Sequence, residues 1–330
     1  MSIILILFLI IFVFLNILLS PKYMTDLIEG NMIAEYYDEL KKHEVIFIGD
    51  CEVYANFSPI VMYEEAGITA YIRGTPQQLI WQSYEILEET LKYEKPKIVV
   101  FNVNSMRYAE PISEAYNRLT IDKMKWSKEK VNIIKESMTE KETMGSYIFP
   151  LLRYHSRWSE LTKEELKQAY TNDNVPFKGY ELNKKIDPYK KPKKGQGLKD
   201  KNKQQFESIP DNASEYLDKI LELCKQNNTE VLLIYVPTIR AWNQSKHEAC
   251  VKYAEERNLT FIDYNSSDFD WKKNTRDNGY HLNMYGANIV TQKLEETIKQ
   301  YNLPNHKEDS NYQHWNESYQ IYEELIKSKK

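Results

Sequence analysis

Cys51 follows Asp50 at the end of an apolar segment, "EVIFIG" (44–49), in a chain of 330 residues. A thiol becomes a strong nucleophile when it loses its proton, and a neighbouring imidazole promotes that loss. The alternative interpretation is a small buried hydrophobic side chain, because free cysteines are among the most buried residues of proteins. The choice between the two depends on whether the chain also supplies a base.

A histidine and a carboxylate far along the chain could supply that base. The segment "TRDNGYHLNMYGA" (275–287) places Asp277 four residues before His281, and a predicted helix follows. An imidazole that acts as a general base needs an acceptor that fixes its tautomer, and a carboxylate is suited to this. The alternative for His281 is that it caps or packs against the helix. We predict that Cys51, His281 and Asp277 form a nucleophile, base and acid.

Oxyanion donors are predicted at the ends of two other apolar segments. Gly74 ends "TAYIRG" (69–74), and Asn102 and Asn104 lie in "FNVN" after a third segment. A tetrahedral intermediate needs donors for its oxyanion. We assign this role to the backbone N–H groups of Cys51 and Gly74 and to the side chain of one of the two asparagines, Asn102 or Asn104. The alternative for Gly74 is an ordinary turn glycine, and Asp50 is expected only to cap a helix or brace the site.

Apolar segments and amphipathic segments alternate along the chain. The predicted strands are 44–49, 69–74, 97–103, 230–237 and 259–264, and the predicted helices between and after them are 58–67, 76–93, 213–226, 243–258 and 283–302. This alternation predicts an α/β fold, a three-layer sandwich with a central parallel sheet. Ligand sites in such sheets lie beyond the carboxyl ends of the strands, where all the candidate residues fall.

The N-terminus differs from the rest of the chain. Residues 2–20 contain no charged side chain and would span about 28 Å as a helix, close to the thickness of a bilayer core. This predicts a transmembrane signal anchor in preference to a cleaved signal peptide, and a buried helix of a soluble domain is disfavoured because the segment has no polar face. The predicted organisation is an anchor (1–20), a linker with a short helix (21–42), an α/β domain (43–304) interrupted by a helical insertion and lysine-rich loop (107–208), and a helical tail (305–330).

Two basic segments lie within the insertion. Residues 184–203 hold nine lysines against two aspartates, which predicts a mobile loop. Arg153, His155 and Arg157 form a cationic cluster among aromatic residues, in "LLRYHSRW". One interpretation of this cluster is contact with an anionic polymer or a partner, and the other is a helix face that docks the insertion on the domain.

The composition limits the function classes. The net charge of −4 argues against a nucleic-acid partner. Three cysteines do not make a disulfide framework, and buried free thiols at Cys224 and Cys250 are favoured over a bridge between them. No metal-ligand spacing and no glycine-rich phosphate loop occur, so neither a metal nor another cofactor is predicted.

The motifs together resemble those of the SGNH (GDSL-like) hydrolase superfamily. "IGDCEVY" resembles its first block, with Cys51 in the serine position, and Gly74 resembles the glycine of the second block. An asparagine of "FNVNSMRY" resembles that of the third block, with Asn104 preferred to Asn102, and "DNGYHLNMYGA" resembles the last block. The resemblance covers roughly 43–304, outside the insertion, and implies an SGNH (flavodoxin-like) fold.

Two departures from the family pattern concern the chemistry. A cysteine replaces the serine, which puts ester hydrolysis in doubt. The acid lies one residue further from the histidine than is common in the family, and Asn278 occupies the commoner position. A neutral amide could orient His281 but could not stabilise an imidazolium as a carboxylate does. We therefore expect Asp277 to be the acid.

More narrowly, the chain resembles membrane-anchored SGNH-like proteins of Gram-positive bacteria that accompany membrane-bound O-acyltransferases, such as the teichoic-acid D-alanylation protein. That resemblance implies a single-pass protein of the cell membrane with an extracytoplasmic domain. It implies a membrane-bound O-acyltransferase as partner and a cell-surface glycan or polymer as substrate. We expect O-acyl transfer through a Cys51 thioester. The alternatives are a carbohydrate esterase and a non-catalytic subunit of the acyltransferase.

Overall fold

A central sheet of five parallel strands organises the fold. The computed structural model describes residues 2–21, 32–39, 42–168, 177–188, 208–239, 244–265 and 269–328. Its sheet has the strand order β2-β1-β3-β4-β5, with every neighbouring pair parallel. The strands are β1 (Val45–Gly49), β2 (Ala70–Gly74), β3 (Ile98–Asn102), β4 (Glu230–Tyr235) and β5 (Thr260–Asp263). The predicted α/β fold with a central parallel sheet is confirmed.

Helices precede, separate and follow these strands. In chain order they are α1 (Ser2–Leu19), α2 (Met32–Glu35), α3 (Cys51–Tyr54), α4 (Pro59–Ala66), α5 (Ile80–Tyr93), α6 (Glu114–Ile121), α7 (Lys128–Ser137), α8 (Met144–Ile148), α9 (Leu151–Tyr154), α10 (Lys163–Gln168), α11 (Asp211–Gln226), α12 (Gln244–Glu256), α13 (Met284–Ile298) and α14 (Gln313–Lys327). A two-stranded antiparallel hairpin, formed by β6 (Thr275–Arg276) and β7 (His281–Leu282), precedes α13.

The sheet is covered by a helical layer on each face. Successive side chains of a strand point to opposite faces, so Phe47 and Ile46 of β1 enter separate cores. The Phe47 core contains side chains of α4, α13 and α14, including the fully buried Trp315. The Ile46 core contains side chains of α5, α7 and α11. The three-layer arrangement follows from strands that are apolar on both faces.

The carboxyl ends of the first three strands meet at one edge of the sheet. Gly49 pairs with Gly74, and Ile48 pairs with Phe101 one residue before Asn102. Gly49 has φ +149°, which disfavours a side chain, and a Cβ there would lie 3.1 Å from the Cβ of Asn102. A glycine at this position therefore lets β1 turn sharply into α3 beside β3.

The N-terminal helix differs from its prediction. In the part of the chain that the structure describes, no helix combines the length and apolarity needed to cross a membrane. The helix present, α1, has 18 residues. The transmembrane helix predicted for 1–20 is not found among the described residues.

The C-terminal end of α1 is hydrogen-bonded to the insertion. The backbone N–H of Leu151 donates to Oδ1 of Asn16 at 2.9 Å. Arg157 donates from Nη1 to the carbonyl of Leu19 at 2.7 Å. The one amide side chain in this apolar segment thus helps to dock the helix on α9.

Several smaller predictions can be compared with the structure. Cys224 and Cys250 are buried and free, as expected. Most of the lysine-rich segment, 189–203, lies outside the described residues. Lys184, at its start, donates from Nζ to the carbonyls of Leu325 and Ser328, at 2.8 and 2.7 Å. This end of the segment is therefore held against the C-terminal end of α14.

Candidate active site

The candidate nucleophile lies at the first residue of α3. Asp50 caps this short helix, because its Oδ1 accepts a hydrogen bond from the backbone N–H of Glu52 at 3.1 Å. Cys51 is buried, with 5% of its surface exposed. The structure thus places the thiol directly beyond the carboxyl end of β1.

Asp50 also binds both candidate asparagines. Nδ2 of Asn102 donates to Oδ1 of Asp50 at 3.1 Å, and Nδ2 of Asn104 donates to Oδ2 at 2.7 Å. Arg107 in turn donates to Oδ1 of Asn104 at 3.2 Å. Each Asn amide nitrogen carries two hydrogens, so Asn104 retains a second N–H. Asp50 therefore both caps the helix and braces the site, the two roles considered for it.

Position 74 requires a glycine, because neighbouring atoms of β1 and α3 lie too close to its backbone to leave room for a Cβ. A Cβ at this position would lie 2.4 Å from Cγ2 of Val53 and 3.1 Å from the carbonyl oxygen of Gly49. Any side chain would push α3, and Cys51 with it, away from β2. The glycine is thus more than an ordinary turn residue, and its backbone lies beside the nucleophile helix.

The hairpin formed by β6 and β7 positions the candidate base. Nδ1 of His281 lies 2.9 Å from Oδ2 of Asp277, and Nη1 of Arg276 donates to the same oxygen at 2.7 Å. Asp277 and Asn278 both have left-handed backbones, with φ +54° and +57°. Asn and Asp tolerate this conformation better than most residues. Two such residues in succession tighten the turn, so that the side chains of Asp277 and His281 meet.

Asn56 joins this hairpin to the nucleophile helix. Its Nδ2 donates to Oε2 of Glu52 at 2.6 Å, and its Oδ1 accepts from the backbone N–H of Leu282 at 2.9 Å. Asn56 is fully buried, so these bonds are not in competition with water. They fix the relative positions of Cys51 and His281, which lie far apart in sequence.

The predicted nucleophile, base and acid are brought together. A ring nitrogen of His281, Sγ of Cys51 and a carboxylate oxygen of Glu52 all lie within 4.8 Å of one another. Because Nδ1 of His281 is occupied by Asp277, Nε2 is the ring atom left for the thiol. Nε2 is buried on the side of the ring opposite Asp277, and a side-chain hydrogen bond links His281 with Cys51. Glu52 was not predicted, and only its position beside Cys51 could have suggested it.

Charges and burial act in opposite directions on His281. Burial lowers the pKa of its imidazole, but negative charge on Cys51 and the hydrogen bond with Asp277 outweigh burial and raise this pKa to about 10. The hydrogen bond from His281 in turn lowers the pKa of Asp277. With its pKa at about 10, the imidazole of His281 holds a proton at neutral pH.

The pKa of His281 predicts a pH-dependent stability. The folded value of about 10 lies above the ordinary 6.5, so the folded state binds the proton more tightly. Its contribution to the free energy of unfolding is complete below about pH 6.5 and is lost as the pH rises to about 10. We expect urea unfolding between these pH values to show a steeper loss of stability in the unmodified chain than in His281→Gln. His155→Gln, a change at an exposed histidine, serves as control, and equal slopes in all three would contradict the assignment.

The cationic cluster makes contacts within the insertion. Arg153 pairs through Nε with Glu114 at 2.8 Å, and Arg157 pairs through Nη2 with Glu165 at 2.5 Å. Nδ1 of His155 lies 3.2 Å from the carbonyl of Leu152. These partners belong to the insertion rather than to α3 or the hairpin. Neither interpretation is decided by these contacts, so contact with an anionic polymer or a partner stays a prediction.

Comparisons with known proteins find similar solved structures only at low identity. No family model and no curated protein matches it. A Bacteroides fragilis protein described as an acylhydrolase is similar at 14% identity and TM-score 0.40, over 81% of this chain and 94% of its own. A GDSL-like lipase of Bacteroides thetaiotaomicron is similar at 12% identity and TM-score 0.36, over 78% of this chain and 88% of its own. An acetyl xylan esterase of Butyrivibrio proteoclasticus is similar at 10% identity and TM-score 0.34, over 80% of this chain and 65% of its own. Likeness of this degree assigns neither activity nor substrate to the chain.

Proposed function

We propose that the chain is an acyl-group enzyme of the SGNH-like type that works through a cysteine. One observation carries this proposal. His281 lies 2.9 Å from Asp277 through Nδ1, while the sulfur of Cys51 lies within 4.8 Å of the ring. A nucleophile, a base and an orienting acid at the carboxyl end of a parallel sheet are the components of acyl transfer.

The reaction proceeds in two steps. The thiolate of Cys51 attacks the carbonyl carbon of an ester, and the leaving alkoxide takes a proton from the imidazolium of His281. This leaves an acyl thioester on Cys51 and a neutral imidazole. An acceptor hydroxyl then gives its proton to His281 and attacks the thioester, which regenerates the thiolate and the imidazolium. Asp277 holds the ring in one orientation throughout.

Donors for the oxyanion are proposed at the same edge of the sheet. The backbone of Gly74 lies against α3, and Asn104 has one N–H beyond the hydrogen bond to Asp50. Asn104 is slightly exposed, whereas Asn102 is fully buried, which supports the preference for Asn104. These groups, with the backbone of Cys51, would stabilise the negative oxygen of the tetrahedral intermediate.

The acceptor distinguishes the leading proposal from its alternative. A thioester is more activated toward a hydroxyl than an oxygen ester is, which favours O-acyl transfer to a cell-surface glycan or polymer. With water as the acceptor, the same residues would act as a carbohydrate esterase, and the geometry supports this alternative equally well. A non-catalytic subunit of a membrane-bound O-acyltransferase is the third proposal, to be adopted if Cys51 carries no acyl group.

The experiment that tests the proposal traps the acyl-enzyme. We expect p-nitrophenyl acetate to acetylate the chain at Cys51, as located by peptide mass spectrometry, and neutral hydroxylamine to remove the acetyl group. Cys224→Ala serves as the control, because Cys224 is buried in the core away from the edge of the sheet. If only residues other than Cys51 are acetylated, the enzyme proposal fails and the proposal of a non-catalytic subunit takes its place. The amount of free acetate, compared with the amount of acetylated glycan, then distinguishes a hydrolase from a transferase.

We also propose that the domain acts at the outer surface of the cell membrane. The proposal is supported by the family resemblance and by the apolar side chains that α1 exposes, such as Ile3 and Ile4 at 74% each. Exposed apolar surface of this extent is typical of contact with lipid or protein. We expect protease added to intact protoplasts to cleave the domain. Protection until lysis would refute the extracytoplasmic location.

A further inference from the structure

Three side chains around the candidate nucleophile are potential ligands of one metal ion. They are Sγ of Cys51, a carboxylate oxygen of Glu52 and a ring nitrogen of His281, mutually within 4.8 Å. No other group of three or more such ligands occurs in the described ranges. Glu52 has 0% exposure, so its carboxylate faces the cluster and not the solvent. We propose that these three residues bind a Zn²⁺ ion.

The donor set matches the preference of zinc. Thiolate, imidazole and carboxylate are its three common protein ligands, at about 2.3, 2.0 and 2.1 Å. In a tetrahedral site these lengths place the ligand atoms about 3.4 to 3.6 Å apart. Separations of up to 4.8 Å in the structure therefore need to close by about 1 Å, which side-chain rotation can supply. The fourth position is left for water.

Two of the ligands are already oriented by other residues. Oδ2 of Asp277 accepts a hydrogen bond from Nδ1 of His281, and this bond directs Nε2 toward the cluster. Asn56 donates to Oε2 of Glu52 and holds that carboxylate in place. Zinc-binding histidines typically bond a carboxylate through the other ring nitrogen, and ligating carboxylates are typically hydrogen-bonded. The surroundings of the cluster thus have the features of a metal site.

The charges balance when the ion is bound. A thiolate on Cys51 and a carboxylate on Glu52 neutralise the two positive charges of Zn²⁺. The adjacent Asp277 is paired with Arg276, and Arg276 is paired with Glu181. Because zinc is bound by a thiolate and a neutral imidazole, its binding releases protons to solvent. Two anionic ligands also spare the buried ion the large cost of an uncompensated charge.

Zinc binding and acyl transfer require the same two atoms. The thioester forms on Sγ of Cys51, and Nε2 of His281 carries the proton in both steps. A bound ion occupies both atoms, so it reversibly blocks the enzyme. This inhibition rests on the proposed function, whereas metal binding itself does not. No ligand spacing in the sequence indicates this site, because Cys51 and Glu52 are adjacent and His281 is distant.

A cobalt titration of the full chain tests the site. After removal of metal and chelator, we expect Co²⁺ to bind one ion per chain and to produce a thiolate-to-cobalt charge-transfer band, which Zn²⁺ removes by competition. Losing a residue that only orients a ligand typically costs about 10- to 100-fold in affinity. Glu52→Gln, which removes a ligand itself, should therefore weaken Zn²⁺ binding at least about 10-fold. Cys51→Ser should lose the band.

Matched variants and the unmodified chain complete the test. Cys250→Ser removes a buried thiol elsewhere, and Glu85→Gln removes a buried carboxylate on α5, so both should bind as the unmodified chain does. In the unmodified chain, Zn²⁺ should slow alkylation of Cys51. No charge-transfer band, a band retained in Cys51→Ser, or unchanged alkylation would each overturn the site. These readouts need no substrate, so they are independent of whether an acyl-enzyme forms.

Discussion

Replacing Cys51 with alanine is expected to lower acyl transfer by on the order of 10⁶-fold, the effect of removing a nucleophile from comparable catalytic triads. Without the sulfur no thioester can form, and His281 has no thiol to activate. Activity is measured as transfer from an activated ester to an acceptor alcohol. Circular dichroism and urea unfolding of the variant establish that the fold is retained.

The other two cysteines provide matched controls. Cys224 and Cys250 are buried in the core, and burial raises the pKa of each thiol to about 12. We expect Cys224→Ala and Cys250→Ala to keep full activity, and both thiols to react with iodoacetamide more slowly than Cys51. If Cys51→Ala keeps full activity, or if Cys51 reacts with iodoacetamide more slowly than the other two thiols, then Cys51 has only a packing role.

Serine at position 51 is a sharper form of the same test. A hydroxyl is a weaker nucleophile than a thiolate, but the family that this chain resembles more often carries serine there. We expect Cys51→Ser to keep a small fraction of the activity, with more of the acyl group passed to water. The ratio of free acid to acylated acceptor measures this change.

The sheet was predictable because its strands are apolar on both faces. Parallel strands covered by helices read as short apolar runs, and β1 and β3 are completely buried. The helix α5 begins at Ile80, later than its predicted start at Pro76. Gln77 has φ +52°, and the backbone N–H of Gln78 bonds the carbonyl of Thr75, so a tight turn precedes the helix. A short turn of this kind has no periodic signal in sequence.

The residues that assemble the site were harder to find. Asn56 acts through Leu282, which is 226 residues away, and Arg276 acts by holding the carboxylate of Asp277. Such roles depend on tertiary contacts that one sequence does not display. The same applies to Glu52, whose side chain meets His281 only after the hairpin has docked on α3.

The contacts of the N-terminal helix were hidden from sequence for a related reason. Residues 2–20 are apolar throughout, apart from Asn16, and composition alone favours a helix that spans a membrane. The described helix ends at Leu19, where Asn16 and the Leu19 carbonyl are hydrogen-bonded to the insertion. A single amide among apolar side chains was the one sign of this docking in the sequence.

Asp277→Asn is expected to lower kcat/KM by on the order of 10⁴-fold, as for the same change in other triads. The carboxylate fixes the tautomer of His281 and stabilises its positive charge. An amide can help to orient the ring but cannot stabilise the positive charge as a carboxylate does. Because the hydrogen bond with Asp277 raises the pKa of His281, Asp277→Asn should also move the basic limb of the pH–rate profile below about pH 10. A residue with a purely structural role would not shift that limb.

Asn278 occupies the commoner family position of the acid, so its variants decide between the two assignments. Asn278 has φ +57°, a conformation that costs alanine about 1 kcal/mol of stability but costs glycine nothing. We expect Asn278→Gly to keep nearly full activity, and Asn278→Ala to lose some stability but little activity. If Asn278→Gly is more damaging to kcat/KM than Asp277→Asn, then Asn278 orients the histidine. The bond of 2.9 Å from Oδ2 of Asp277 to His281 leads us to expect the opposite order, because one ring nitrogen has room for one such partner.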